Sequence, residues 1–160
     1  MSANWTRVLE QSARTAIAAV VSLLVARLFR LPEFYWAAIT TLVILQSTLG
    51  AALTASGERL AGTALGAVSG ALLATHSNPS LPVFGVAIFV LGLLCAALHL
   101  DRPAYRFASI TLAIVTLIVR NQPAWKVATH RFFEVSIGIA VGLVMTALWP
   151  EREPPVSTTC

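Results

Sequence analysis

Apolar residues run along this chain in six blocks of about 15 to 22 residues, separated by short polar or proline-bearing stretches. Within a block successive positions are apolar, whereas a half-buried strand would alternate, so the predicted elements are helices. About 20 such residues, rising about 1.5 Å each, cross the roughly 30 Å hydrocarbon core of a bilayer. The first predicted helix, Val8 to Phe29, follows a polar start carrying Arg7 and Glu10. Leu31-Pro32-Glu33 then turns the chain into the second, Tyr35 to about Thr54, opened by two interfacial aromatics. Gly57-Glu58 reads as a tight link to the third, Arg59 to about Thr75, and Asn78 to Pro82 as a loop. The fourth runs from about Val83 to Leu98 and the fifth from Tyr105 to about Val119; the sixth, from about Arg131 to Trp149, is stopped by Pro150. The first block has the basic end and apolar run of a signal peptide, yet it lacks a small-residue cleavage site and five more blocks follow, so it is predicted to remain as a span.

Two blocks carry the same device. In RLAGTALGAVSG, Arg59 is followed by Gly62, Gly66 and Gly70, which share one helical face and let another backbone come close. In HRFFEVSIGIAVG, Arg131 is followed by Gly138 and Gly142, so both copies hold an arginine with glycines seven and eleven residues on, 72 positions apart. The halves agree elsewhere, Tyr35-Trp36 preceding ITTLVIL and Tyr105-Arg106 preceding SITLAIV. Three helices per copy is an odd number, so the second copy enters the membrane from the opposite side. The expectation is an all-α membrane protein, one domain of residues 1–160 with six transmembrane helices as two inverted three-helix repeats, about 8–76 and 82–150. Arg59 and Arg131 are then predicted at helix starts on opposite membrane faces, where the helix dipole also favours anions.

Composition strengthens the membrane reading: 57% of residues are apolar, 11% are charged and the mean hydropathy is +0.78. A net charge of +4 would suggest nucleic acid in a soluble domain, but the 11 Lys and Arg are scattered singly between apolar blocks, so no nucleic-acid partner is expected. Six of them on the N-terminal side against five on the other favour a cytoplasmic N-terminus. Cys95 lies inside an apolar block and Cys160 is the last residue; His76, His99 and His130 lie in different segments without metal-ligand spacing. No metal site and no cofactor is predicted, and neither paired carboxylates nor a nucleophile with a base points to an enzyme.

The candidates for binding are the polar groups inside the blocks. Arg14, one turn beyond Glu10 and sharing a face with Ala18, Val21 and Val25, either snorkels to the interface or faces a cavity. Gln46, near the middle of the second block, either ties helices together or touches a polar substrate. Arg59 and Arg131 either anchor their helices at headgroup level or attract an anion, and Glu134, one turn after Arg131, could neutralise it.

At YWAAITTLVILQSTLGAALTASGERLAGTALGA the chain resembles the fusaric acid resistance and aromatic acid exporter superfamily, whose membrane unit reads like YWA(A/x)ITxLVVLQPTLG followed by RxxGTxxGxxxG. RTAIAAVVSLLVARLFRLPEFYWAA and RFFEVSIGIAVGLVMTALWP look like the same family, so the resemblance covers nearly the whole chain. It implies a six-helix bacterial inner-membrane unit exporting small organic anions, and carries over Trp36, Gln46, Arg59, Gly62, Thr63, Gly66, Arg131 and Gly138 as motif positions. Plant malate channels, which are relatives of that family, are dimers with a basic pore between subunits. Ser47 stands where the family has proline after the glutamine, which puts a kink there in doubt, and larger members carry two membrane units or a cytosolic domain. A single unit is therefore expected to form a homo-oligomer, a dimer being favoured, in the lipid bilayer. The leading expectation is efflux of aromatic carboxylates past Arg59, Arg14, Gln46, Trp36 and Arg131. The competing one is a membrane scaffold or assembly subunit without transport.

Overall fold

The computed structural model describes residues 2–45, 48–77, 80–118 and 122–149. They form helices α1 (Ser2–Leu28), α2 (Tyr35–Ile44), α3 (Leu49–His76), α4 (Leu81–Ala97), α5 (Arg102–Ala113) and α6 (Ala124–Leu148), with α5 running on into a wider π-helical turn over Ile114–Ile118. The helical reading of all six blocks holds, but two boundaries move and change the picture. Leu45 turns extended after α2, and Thr48 caps a new helix, its side chain accepting from the Ala51 N–H at 3.3 Å. Leu49 to Thr54 therefore belong to α3, and Gly57-Glu58, taken for a link, lies inside it. A threonine cap overrides the breaker signal of one exposed glycine because its side-chain oxygen satisfies an otherwise orphaned N–H. Arg59 is consequently nearly three turns inside α3, and Arg131, behind a helix that begins at Ala124, is two turns inside α6. Neither arginine stands at a helix start.

Among the described residues, two helices are long and apolar enough by themselves to cross a membrane, Val8–Leu28 and Ala124–Leu148. With 10 residues α2 reaches only about 15 Å, half a hydrocarbon core. Its 28 residues make α3 long enough, but Glu58 and Arg59 interrupt its apolar run.

Packing follows the small residues. The broadest contacts are those of α3 with α5 and α6, and of α6 with α2; α1 lies on α2 and α6, and α4 lies mainly on α5. The buried stripe of α1 is Arg14, Ala18, Ser22 and Ala26, four residues apart, in place of the Val21 and Val25 face expected, and Val21 is exposed. Small side chains let α2 close in, and Val21 faces outward. The Thr41 hydroxyl is 2.8 Å from Ser22 Oγ and 3.0 Å from the carbonyl oxygens of Ala37 and Gly138, tying α2 to both α1 and α6. On the other side, α4 buries only Leu91 and Cys95 among its named core residues, and its Phe89, Val90 and Leu93 are exposed.

Candidate functional site

Two glycine seams bring the polar residues together. On α3, a side chain at Gly62 would strike the Ala104 carbonyl and one at Gly66 the Ala108 carbonyl, both on α5; Gly70 faces Leu112 and Val115. On α6, Gly138 sits against Ala37 O and Thr40 of α2, and Gly142 against Ile44 and Thr41. Helix backbones approach this closely only where Cβ is missing, and the approach draws neighbouring long side chains into the bundle. Arg59 is thereby buried at 7% exposure and Arg131 at 2%.

Each guanidinium is roofed by an aromatic ring from the other half of the chain. The Arg59 guanidinium carbon lies 4.5 Å from the Phe107 ring centroid, and that of Arg131 lies 3.7 Å from Trp36. Both are within the range of a cation–π contact, which strengthens when water is excluded. Beyond the rings their partners differ. Arg59 Nε donates to Thr40 Oγ1 at 3.2 Å, a neutral acceptor. Arg131 Nη1 faces Glu134 Oε2 at 3.8 Å, an ion pair too long for a hydrogen bond, and Arg131 Nε, Arg131 Nη1 and Glu134 Oε2 have no hydrogen-bond partner among the described residues. Glu134 itself is fully buried and its other oxygen accepts from the Glu33 N–H at 3.1 Å. Glu33, half-buried at the turn into α2, accepts the Trp36 indole N–H at 3.0 Å. Arg131 lies over Trp36 and Arg59 bonds Thr40, one turn further along α2, so the two arginines share one interior region and do not lie at separate helix starts. Among the described residues this region thus holds two guanidiniums beside one fully buried carboxylate, with Glu33 at its edge.

Of the residues the sequence marked, Trp36, Arg59 and Arg131 come together. Arg14 does not: it is buried beside the far end of α6, its Nη2 donating to Thr146 Oγ1 at 3.4 Å, and 15 residues of helix between Arg131 and Thr146 amount to roughly 22 Å. This contact is an interhelical one, and Trp149 Nε1, just beyond α6, donates to Glu10 Oε1 of α1 at 3.1 Å. Gln46 lies outside the described residues. Phe107 and Glu33 were missed. Matching the halves on their tyrosines puts Arg106 opposite Trp36, whereas the seams match Ala37 with Ala108, which makes Phe107 the counterpart of Trp36.

The family described as fusaric acid resistance protein-like matches residues 17–145, from within α1 to near the end of α6. Over 143 residues the chain is 29% identical to the inner membrane protein YeeA of Escherichia coli K12, covering 87% of this chain and 40% of that protein. It is 32% identical over 146 residues to the uncharacterized transporter YdhK of Salmonella typhimurium LT2, and 30% identical to that of Escherichia coli K12, covering 86% of this chain and 22% of each relative. The chain therefore spans well under half the length of these curated relatives. No solved structure matches it. With Arg59, Arg131, both glycine seams and both aromatic roofs inside the matched residues, the chain belongs to the fusaric acid resistance protein-like family.

Proposed function

We propose that this chain is the membrane unit of a bacterial inner-membrane transporter or channel for small organic anions, aromatic carboxylates above all. One observation carries the reading: two buried guanidiniums, Arg131 over Trp36 and Arg59 bonded to Thr40 one turn further along α2, lie beside the one fully buried carboxylate among the described residues, Glu134. Burying a cation in a membrane bundle is costly, and such residues mark substrate and ion pathways. A carboxylate placed between Arg59 and Arg131 relieves their repulsion, and guanidiniums suit it geometrically because their paired N–H groups match its two oxygens. Trp36 and Phe107, already stacked on the arginines, offer ring faces to an aromatic substrate. The names of the relatives, an inner membrane protein and transporters, support the location and the class.

In this reading all six helices cross the bilayer, and repeats 8–76 and 82–150 are inverted copies. The reciprocal seams support that arrangement, α3 on α5 answering α6 on α2. In the same reading a second copy of the chain completes the pathway, a dimer being the simplest closed assembly. The test is flux of benzoate-like anions in proteoliposomes. Arg59→Gln should lower it at least tenfold with the oligomer intact, and Arg59→Lys should restore part, since charge draws the anion in. Wild-type protein that carries no such anion would leave the scaffold reading, and an intact Arg59→Gln oligomer with wild-type flux would remove Arg59 from the pathway.

A further inference from the structure

We propose that Glu134 is the resident counter-anion of Arg131, which a substrate carboxylate displaces while Glu134 takes up a proton. The inference rests on the anion-transport reading above and adds to it what moves with the anion. Glu134 is already a carboxylate against a guanidinium, so it occupies the place in which an organic anion would sit. The pair is loosely made: Oε2 is 3.8 Å from Arg131 Nη1 and without a hydrogen-bond partner, and Arg131 keeps two buried N–H groups unbonded. A carboxylate that hydrogen-bonds those groups has the stronger claim on them, because charge-assisted hydrogen bonds exceed a non-bonded ion pair at longer distance. Once it arrives, two carboxylates crowd one arginine, and such a pair holds a proton because like charges at close range do not both stay ionised.

The geometry assigns that proton to Glu134 Oε2. Its other oxygen is anchored by the Glu33 N–H at 3.1 Å, a bond that survives protonation of Oε2, so the side chain stays in place and turns from competitor to donor toward the bound carboxylate. The step balances without redox chemistry: one O–H bond forms on Glu134 from a solvent proton, one carboxylate ion enters, and the charge of the site is unchanged. The charged and titratable groups around Glu134 are Arg131 on α6, Glu33 and Tyr35 around the start of α2, and Arg59 of α3, held at Thr40 one turn along α2 from the ring that covers Arg131. Glu33 is the other carboxylate near enough to serve, but its side chain is already bonded to the Trp36 indole.

Calorimetric titration of the purified oligomer with benzoate at mildly alkaline pH, where Glu134 starts ionised, repeated in buffers of different ionisation enthalpy, counts the protons taken up. Wild type and Glu33→Gln should take up about one proton per benzoate, and Glu134→Gln none while binding benzoate roughly tenfold more tightly, its internal competitor gone. Infrared difference spectra of wild type on benzoate binding should gain a protonated-carboxyl band at the expense of a carboxylate band, a readout that does not need the variant to fold. Benzoate binding without proton uptake or without that band overturns the role of Glu134 and leaves anion transport standing. Uptake lost in Glu33→Gln and kept in Glu134→Gln overturns it in favour of Glu33. No benzoate binding by wild type overturns the transport reading and this inference with it.

Discussion

The seam between α3 and α5 and the seam between α6 and α2 are built alike and differ at one step. Gly66 and Gly70 on α3 correspond to Gly138 and Gly142 on α6, each pair riding on the backbone or side chains of its partner helix. One turn before Gly66 stands Gly62, closed against the Ala104 carbonyl; one turn before Gly138 stands Glu134, holding the Glu33 N–H. The same helix pairing thus has a backbone-to-backbone contact on one side and a buried acid on the other. Packing is what the halves share, and chemistry lies where they part. Arg59, in the glycine seam, is left with a threonine hydroxyl, whereas Arg131, in the glutamate seam, has a counter-ion.

The largest test of the shared part is steric. Gly66→Leu and Gly138→Leu would each drive a side chain into a backbone carbonyl that cannot rotate away, and each should destabilise the folded oligomer by more than about 4 kcal/mol in detergent melting experiments. Nothing lies within 4 Å of a side chain at Gly85 on α4, so Gly85→Leu should change stability by less than about 0.5 kcal/mol. If the seams are truly equivalent, the first two variants fail alike; a tolerated Gly66→Leu would make the α6 seam the sole structural one.

A smaller effect separates the seams by their charge. Arg131→Gln strands Glu134 in the interior without its counter-ion and should cost about 3 kcal/mol, most of which Glu134→Gln in the same chain should recover. Arg59→Gln loses one hydrogen bond to a neutral hydroxyl and a ring contact, gains relief from the repulsion of Arg131, and should cost about 1 kcal/mol or less. Equal costs, measured by denaturant titration of the two variants, would erase the proposed difference between the two arginines.

The glycine faces were legible in the sequence because a period of four is a local property that needs no partner to be seen. The depth of the arginines was not, since it depends on where α3 begins, and Thr48, a weak cap in isolation, outweighs Gly57-Glu58 only once the helix packs along α5 and α6. Which ring covers which arginine is a property of the contact between halves, and a one-residue offset in matching the halves is enough to hide Phe107. Arg14 looked like a site residue for the same reason as Arg59, a charge in an apolar block; the roughly 22 Å along α6 that separate it from Arg131 exist only in three dimensions.

The smallest expected effect lies at the ends of α1 and α4, where the halves again match. Arg30 and His99 both have φ near +54°, the left-handed conformation that closes a helix, and it is a strained one for a residue with Cβ. The bonds around them correspond: Arg30 N–H to Arg27 O at 3.0 Å and Leu31 N–H to Ala26 O at 3.3 Å, against His99 N–H to Ala96 O at 3.1 Å and Leu100 N–H to Cys95 O at 3.0 Å. Glycine at either place removes about 1 kcal/mol or more of left-handed strain and gives back about 0.4–1 kcal/mol through the looser unfolded chain. Arg30→Gly and His99→Gly should therefore each stabilise by about 0.5 kcal/mol, readable as a small rise in melting temperature of the purified protein. Because the corners share their bonding, the two shifts should agree in sign and size. A gain at His99 beside a loss at Arg30 would mean that the Arg30 guanidinium contributes more at its corner than its backbone costs, and the likeness of the two halves would then stop at the glycine seams.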